Sequence, residues 1–314
     1  MSEQKLEIFN VLNFLNCGYE LEDILKEGNF GTFPSAQDCI KHLVDEGYLE
    51  GEFEVNDSTG GALTVEEISK KYTVAELKDI LRENGLKVSG KKQELVERVL
   101  PVLNDDSAES TNDNVSYDLE LTDKAIKFID DNEWIDLYMF ALVMFRFDDY
   151  ETYVANSSED MIQTAHSFCD EIISKALMAN QFLVFIDALS AKAHVFAYDK
   201  DYESFLDYDL QRFILGLNPI VMDAQTYATY DVVNYANILN LKNVTEKLDF
   251  GNLKKRFDKI WVKSHIRNTT VPKKTAYKIL QNSFAIADGE DAAEKIEELN
   301  FDLKEKYFNK KFGI

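Results

Sequence analysis

At 314 residues, 45% of them hydrophobic, the chain has room for about two domains and enough apolar material for a core, which excludes a wholly disordered protein. Its formal charge of −23 excludes a surface coated in nucleic acid. A local contact stays open, because exposed charges more than ~8–10 Å apart are largely screened at physiological salt. Thirteen glycines and four prolines are few for this length and favour a mainly helical, all-α fold.

The opening residues, Met1 to Lys5, lack a basic-then-apolar leader, and the longest apolar run, Leu137 to Phe147, is broken by Arg146 and too short to span a bilayer. A cytoplasmic protein without membrane contact is expected. Cys17, Cys39 and Cys169 are scattered without CxxC spacing, which suits reduced thiols. Residues 1–55 read as an amino-terminal helical unit. Leu6, Phe9, Val11, Leu12, Phe14 and Leu15 give an amphipathic opening helix, Leu21 to Lys26 a second that ends at Gly28, and Ser35 caps a third running to Glu46. The third would turn Cys39, Ile40, Leu43 and Val44 inward before Gly47 to Glu50 closes the unit. Three helices and a short extended segment resemble a helix-turn-helix arrangement, but Asp38, Asp45 and Glu46 make a poor groove-facing surface, so packing or protein contact is the better reading.

Glu54 to Gly61 is polar and reads as a linker, and Thr64 to Glu67 makes a capping box for a short helix. Thr73-Val74-Ala75-Glu76 makes another, opening a helix with Leu77, Ile80 and Leu81 on one edge and Lys78, Asp79, Arg82 and Glu83 toward water. Gly85 stops it, with Leu86 folding back onto the apolar edge. Leu86-Lys87-Val88 reads as extended, and Ser89-Gly90 turns the chain into a second helix with Leu95, Val96, Val99 and Leu103 inward. Pro101 should kink or end that helix near Leu100. Gly85 to Lys92 fits the GxxxxGK start of a nucleotide-binding P-loop, but Lys92 stands where a Ser or Thr hydroxyl is required and a helix precedes the glycines.

The run from Val74 to Leu81, then Asn84-Gly85-Leu86, Ser89-Gly90-Lys91-Lys92 and Glu94 to Val99, resembles the SAP motif, a helix-extended-helix module associated with DNA binding, here over residues 63–103. The resemblance implies contact with duplex DNA, A/T-rich DNA in the family's habit, through Lys87, Ser89, Gly90, Lys91, Lys92 and Arg98. Physics agrees with such a role. The first-turn amides of the second helix have no partners within the helix, and the helix dipole adds to their pull on a phosphate. If three lysines neutralise phosphates, log K should fall with log salt at a slope near −2.7, as for weak, sequence-independent attachment. The rival reading is that these lysines serve solubility and Gly90 only makes a turn.

Residues 104–117 are rich in Asn, Asp, Ser and Thr and read as a flexible acidic linker. Residues 118–314 read as a carboxyl-terminal helical domain, opening with Leu121-Thr122 and a helix that carries Ile126, Phe128 and Ile129. The order of His42 to Glu50, the motif, Leu121-Thr122-Asp123-Lys124 and a helical domain is similar to SAP-containing proteins encoded by prophages and microbial genomes. Asp201 to Tyr208 and Leu217-Asn218-Pro219 resemble the second half of a tetratricopeptide hairpin, although no 34-residue period recurs. The many aromatic residues read as core. Glu290 to Lys311 makes a final charged helix or two, packing through Ile296, Leu299, Phe301 and Leu303.

Lys254, Lys255, Arg256, Lys259, Lys263, Arg267, Lys273, Lys274 and Lys278 crowd into 25 residues with Asp258 as the only acid. They suit either a second nucleic-acid or acidic-partner contact, or pairing with the protein's own acidic surface. No catalytic or metal motif is present: the four histidines are dispersed, His166 and Cys169 offer at most half a metal site, and no cofactor is expected. The expected role is a non-enzymatic DNA-binding adaptor, weakly and salt-sensitively attached to double-stranded DNA, whose carboxyl-terminal domain holds a protein partner. The alternative is a protein-interaction scaffold of phage or defence origin in which the motif only packs.

Overall fold

The computed structural model describes residues 2–21, 23–24, 31–53, 68–69, 71–84, 86–96, 98–100, 117–219, 229–247, 253–266 and 269–312. These are mainly helical, and the strands among them form one two-stranded sheet. The expected linkers at 54–61 and 104–116, the capping box at Thr64 to Glu67, the end of the second helix at Gly28, and Leu103 lie outside the described residues. Contacts group the chain into two compact units, Glu7–Asp130 and Met1–Leu6 with Asp131–Ile314.

The smaller unit begins in helix α1 (Ser2–Asn16), which buries Phe9, Val11 and Leu12. Helix α2 (Ala36–Asp45) starts at Ser35, whose hydroxyl accepts from the Asp38 amide, and it buries Cys39, Ile40 and Leu43. It ends in a left-handed glycine. Gly47 has φ of 70°, which lets the Tyr48 amide reach back to the Leu43 carbonyl at 2.8 Å, the bond that closes a helix and redirects the chain. Strand β1 (Leu49–Phe53) follows at once. Helix α3 (Val74–Glu83) and the helical stretch α4, residues 92–96 and 98–100, come next. Strand β2 (Tyr117–Leu121) then returns antiparallel to β1, pairing Leu49 with Leu121, Gly51 with Leu119 and Phe53 with Tyr117. Helix α5 (Asp123–Asp131) buries Ala125 and Ile129. Thr122 donates to the Gly47 carbonyl, and Lys124 lies 4.3 Å over the Tyr48 ring, so the start of α5 is fastened to the end of α2. Strand β2 and most of α5, through Asp130, fall within the unit Glu7–Asp130.

The larger unit is an irregular helical array. Helix α6 (Trp134–Leu137) runs into a π-turn at Tyr138–Leu142, and α7 (Phe147–Asn156) follows. Helices α8 (Met161–Met178), α9 (Phe182–Tyr198) and α10 (Tyr202–Gly216) form two successive hairpins. Each hairpin turns on a left-handed residue without glycine, Asn180 at φ 54° and Lys200 at φ 63°, and amide bonds from Gln181 to Ala176 and from Asp201 to Phe196, both 2.9 Å, close the preceding helix. Helices α11 (Tyr235–Lys247), α12 (Leu253–Lys263), α13 (Lys273–Ala287) and α14 (Ala292–Leu303) complete the core with α9 and α10. The aromatic residues are core, as expected: Trp134 stacks on Phe147, Tyr138 on Tyr150, and Tyr150 and Phe205 are fully enclosed. Phe14, Tyr19, Phe140 and Phe301 depart from this, and Phe301 stands 66% exposed because it falls on the far side of α14 from Ile296, Asn300 and Leu303.

Asn218, just past α10, joins two segments of this array. Its carbonyl oxygen accepts from the Thr270 and Val271 amides at 2.9 and 3.0 Å, and its amide donates to the Ile214 carbonyl at 2.9 Å, all out of water. The turn that leads into α13 is therefore hung on the end of α10. Asn218→Ala leaves buried donors unsatisfied and should cost about 3 kcal/mol, read as a lowered denaturant midpoint at unchanged m-value.

Candidate functional site

The two helices of the motif are held by a very small core. Leu77 and Leu81 of α3, Leu95, Val96 and Val99 of α4 and Ile68 from the preceding turn are all fully buried, with Tyr72, Ile80, Val88 and Leu100 packed around them. Five of those six residues were predicted from periodicity. Ile68 was not, because a lone isoleucine in a polar run carries no period.

Local chemistry fixes both ends of α3. The Thr73 hydroxyl accepts from the Glu76 amide, and the Glu76 carboxylate accepts from the Thr73 amide at 2.7 Å, completing the expected capping box. At the other end the Leu86 amide bonds the Leu81 carbonyl at 2.7 Å, as a helix-closing turn requires. The Leu86 side chain does not fold back onto the apolar edge: it stays 40% exposed, and Val88 takes the inward position of the extended segment.

The loop that follows presents Lys87, Ser89, Gly90 and Lys91 to solvent. Arg98, one and a half turns into α4, reaches back and donates to the carbonyls of Lys87 at 2.5 Å and Ser89 at 2.9 Å. It also lies 3.6 Å from Glu94. Its guanidinium is therefore spent on shaping the loop, and Gly90 explains how close that packing is. Its φ is 143°, and a Cβ built there would sit 2.5 Å from a Glu94 carboxylate oxygen and 2.9 Å from Arg98. Lys92 is likewise engaged: its ammonium donates to the Ser69 carbonyl at 2.8 Å. Of the three lysines expected around the start of α4, Lys87 and Lys91 keep theirs free among the described residues. Lys91 supplies the carbonyl that closes the first turn, through the Leu95 amide, and no side chain caps the amides after it among those residues.

The second cluster divides. Asp258 binds both Lys254 at 2.5 Å and Lys273 at 2.8 Å, and these bonds hold its carboxyl below the usual range. Arg256 bonds Asp207 at 2.5 Å and the Glu203 carbonyl, both on α10. Those three cations are consumed by the protein's own acids. Lys259, Lys263, Lys274 and Lys278 are exposed and have no carboxylate partner among the described residues; Arg267 lies outside them. Phe257 is buried between α12 and α13, with Trp261 and Tyr277 against it, so the interleaved aromatics are packing and not a stacking platform.

Elsewhere the chemistry is quiet. His166 and Cys169 share α8, but burial pushes the Cys169 thiol up to about 12 and the imidazole down, and the His166 ring packs on Phe196 at 4.1 Å. Among the described residues no three His, Cys, Asp or Glu side chains converge on a metal position, and no helix is long and apolar enough to cross a membrane. A cleft of about 610 Å³ lies between α13 and the chain after α14, lined by charges of both signs including Lys278, Asp302, Glu305 and Lys306.

Two outcomes follow from the motif's geometry. Gly90→Ala should destabilise it by about 1–3 kcal/mol through backbone strain and displacement of the Arg98–Glu94 pair, measured by thermal melting and by faster amide exchange in the loop. The Thr73 amide and hydroxyl, with a smaller contribution from Lys92, depress the Glu76 carboxyl. A depressed carboxylate stabilises above its unfolded pKa of about 4.3 and loses that contribution as pH falls through the folded value. The melting difference between the parent and Glu76→Gln should therefore be present at neutral pH and close in acid.

No curated protein and no solved structure matches the chain. A family model does match part of it, the SAP domain, over residues 69–103. That span covers the end of the preceding turn, α3, the lysine loop and α4, the same elements that the small core and the Arg98 bonds unite. Residues 69–103 are a SAP domain, a module that points to nucleic-acid binding.

Proposed function

We propose that the chain is a non-enzymatic DNA-binding adaptor. Its SAP domain contacts duplex phosphates through Lys87, Lys91, the Ser89–Gly90 backbone and the first amides of α4. Lys92 and Arg98 act one step back, shaping the loop that presents them. The observation that carries this reading is the pair of exposed ammonium groups beside helix amides that no side chain caps among the described residues, on a loop whose carbonyls Arg98 holds in place. A preference for A/T-rich duplex comes from the SAP resemblance alone. The protein partner has its support in the carboxyl-terminal helical domain, where Met139, Phe140, Val143 and Met144 stand 39–58% exposed around the π-turn.

The proposal is tested by fluorescence anisotropy with labelled A/T-rich and G/C-rich duplexes across a salt series. Lys87→Gln with Lys91→Gln should flatten the slope of log K against log salt by about 1.8, since each lost phosphate contact removes ~0.9. Lys92→Gln should lower the melting temperature as well as binding, because it also frees the Ser69 carbonyl. Parent-like binding by the double variant would reduce the SAP domain to a packing element of a scaffold.

A further inference from the structure

The nine cations between positions 254 and 278 were ambiguous in sequence because composition does not say which of them the protein keeps for itself. The structure separates them by direction. On α12 the core takes Phe257 and Ile260, and the flanks take Arg256, turned to Asp207 on α10, and Lys254 and Asp258, turned to Lys273 and Tyr277 on α13. At 100° per residue, Lys259 falls between Val262, which is 69% exposed, and the Arg256 flank, and Lys263 falls beside that flank near the end of the helix; both lysines are exposed. On α13 the core takes Ala276, Ile279, Leu280 and Ser283, while Lys274 and Lys278 lie on the opposite, exposed side. Each helix therefore shows an i, i+4 pair of ammonium groups to solvent, and the only acid of the segment, Asp258, is already committed between the helices.

We propose that this outward stripe of Lys259, Lys263, Lys274 and Lys278 is a second nucleic-acid contact, which binds the phosphate backbone without reading sequence. Two features favour a nucleic acid over an acidic protein. The lysines' i, i+4 step of ~6 Å along each helix is of the same order as the step between neighbouring phosphates of one DNA strand, which rise ~3.4 Å along the axis and also move around the duplex. And in a protein of charge −23 an anionic partner must overcome repulsion from the remaining surface, which a polyanion does by releasing its condensed counterions. The inference rests on the reading of the SAP domain as a DNA contact in one respect: both sites lie on one chain, so a duplex held at either is presented to the other at raised effective concentration.

The experiment uses the full chain and a labelled duplex in a salt series. The quadruple variant Lys259→Gln, Lys263→Gln, Lys274→Gln, Lys278→Gln should bind roughly tenfold or more weakly and flatten the salt slope by about 3.6 if all four lysines meet phosphates. Its melting temperature should match the parent, since none of the four makes an ion pair among the described residues. The matching quadruple Arg variant, which keeps the charge, should bind like the parent. Parent-like binding and slope in the Gln variant overturn the proposal. So does retained duplex binding with loss of binding to poly-glutamate, which would assign the stripe to an acidic protein. The Lys87→Gln/Lys91→Gln variant separates the two sites. If it alone loses DNA, the stripe proposal fails and the SAP reading stands; if the stripe variant alone loses DNA, the SAP reading fails and the stripe stands.

Discussion

A lysine in a chain of net charge −23 has a carboxylate within reach over most of the surface, and the lysines that the fold leaves unpaired decide where an anion can approach. Pairing is the default. Lys254 and Lys273 share Asp258, Arg256 is held by α10, Lys192 is buried against Asp170, and Lys242 is bound by Asp288 and Glu246. Lys259, Lys263, Lys274 and Lys278 stay unpaired among the described residues: α12 turns its one acid, Asp258, toward α13, and α13 carries none. Lys87 and Lys91 sit on a loop where Arg98 holds the Lys87 and Ser89 carbonyls and lies 3.6 Å from Glu94, the carboxylate beside the loop.

The SAP domain survives on six fully buried side chains because its helix ends are satisfied locally. The capping box, the Leu86 bond and the Lys92 and Arg98 bonds to carbonyls each satisfy a polar group that such a small core could not bury unpaired. Binding surface and folding are coupled here. Arg98 and Lys92 carry the charge that a phosphate would welcome, yet both are used to build the loop, which leaves a modest number of free charges and fits a weak, salt-sensitive attachment.

What could be read from sequence was what is written in short range. The capping box of α3, the cap at Ser35 and the inward faces of α3 and α4 all follow from residues within four positions of one another. The β1–β2 pair was invisible, because Leu49 meets Leu121 across 72 residues and five-residue strands have no period of their own. The hairpin turns at Asn180 and Lys200 were equally silent, since a lysine in the left-handed region is chosen by the packing of the helices it joins. Composition found the basic segment at 254–278 but could not divide it; that needed Asp207 and Glu203, some fifty residues away, to claim Arg256. Leu86 and Phe301 went astray because an apolar side chain at a helix end or on a second face need not be covered.

The pairing of Phe53 with Tyr117 carries an architectural consequence. The chain leaves β1 and re-enters β2 at neighbouring points, so the SAP domain lies in sequence between the two strands of one ribbon. Such an arrangement tolerates exchange: a tight turn could bridge the same gap, and a different recognition module could be grafted there without disturbing the pairing of the ribbon. The host fold and its cargo are separable in design, and their histories need not be shared.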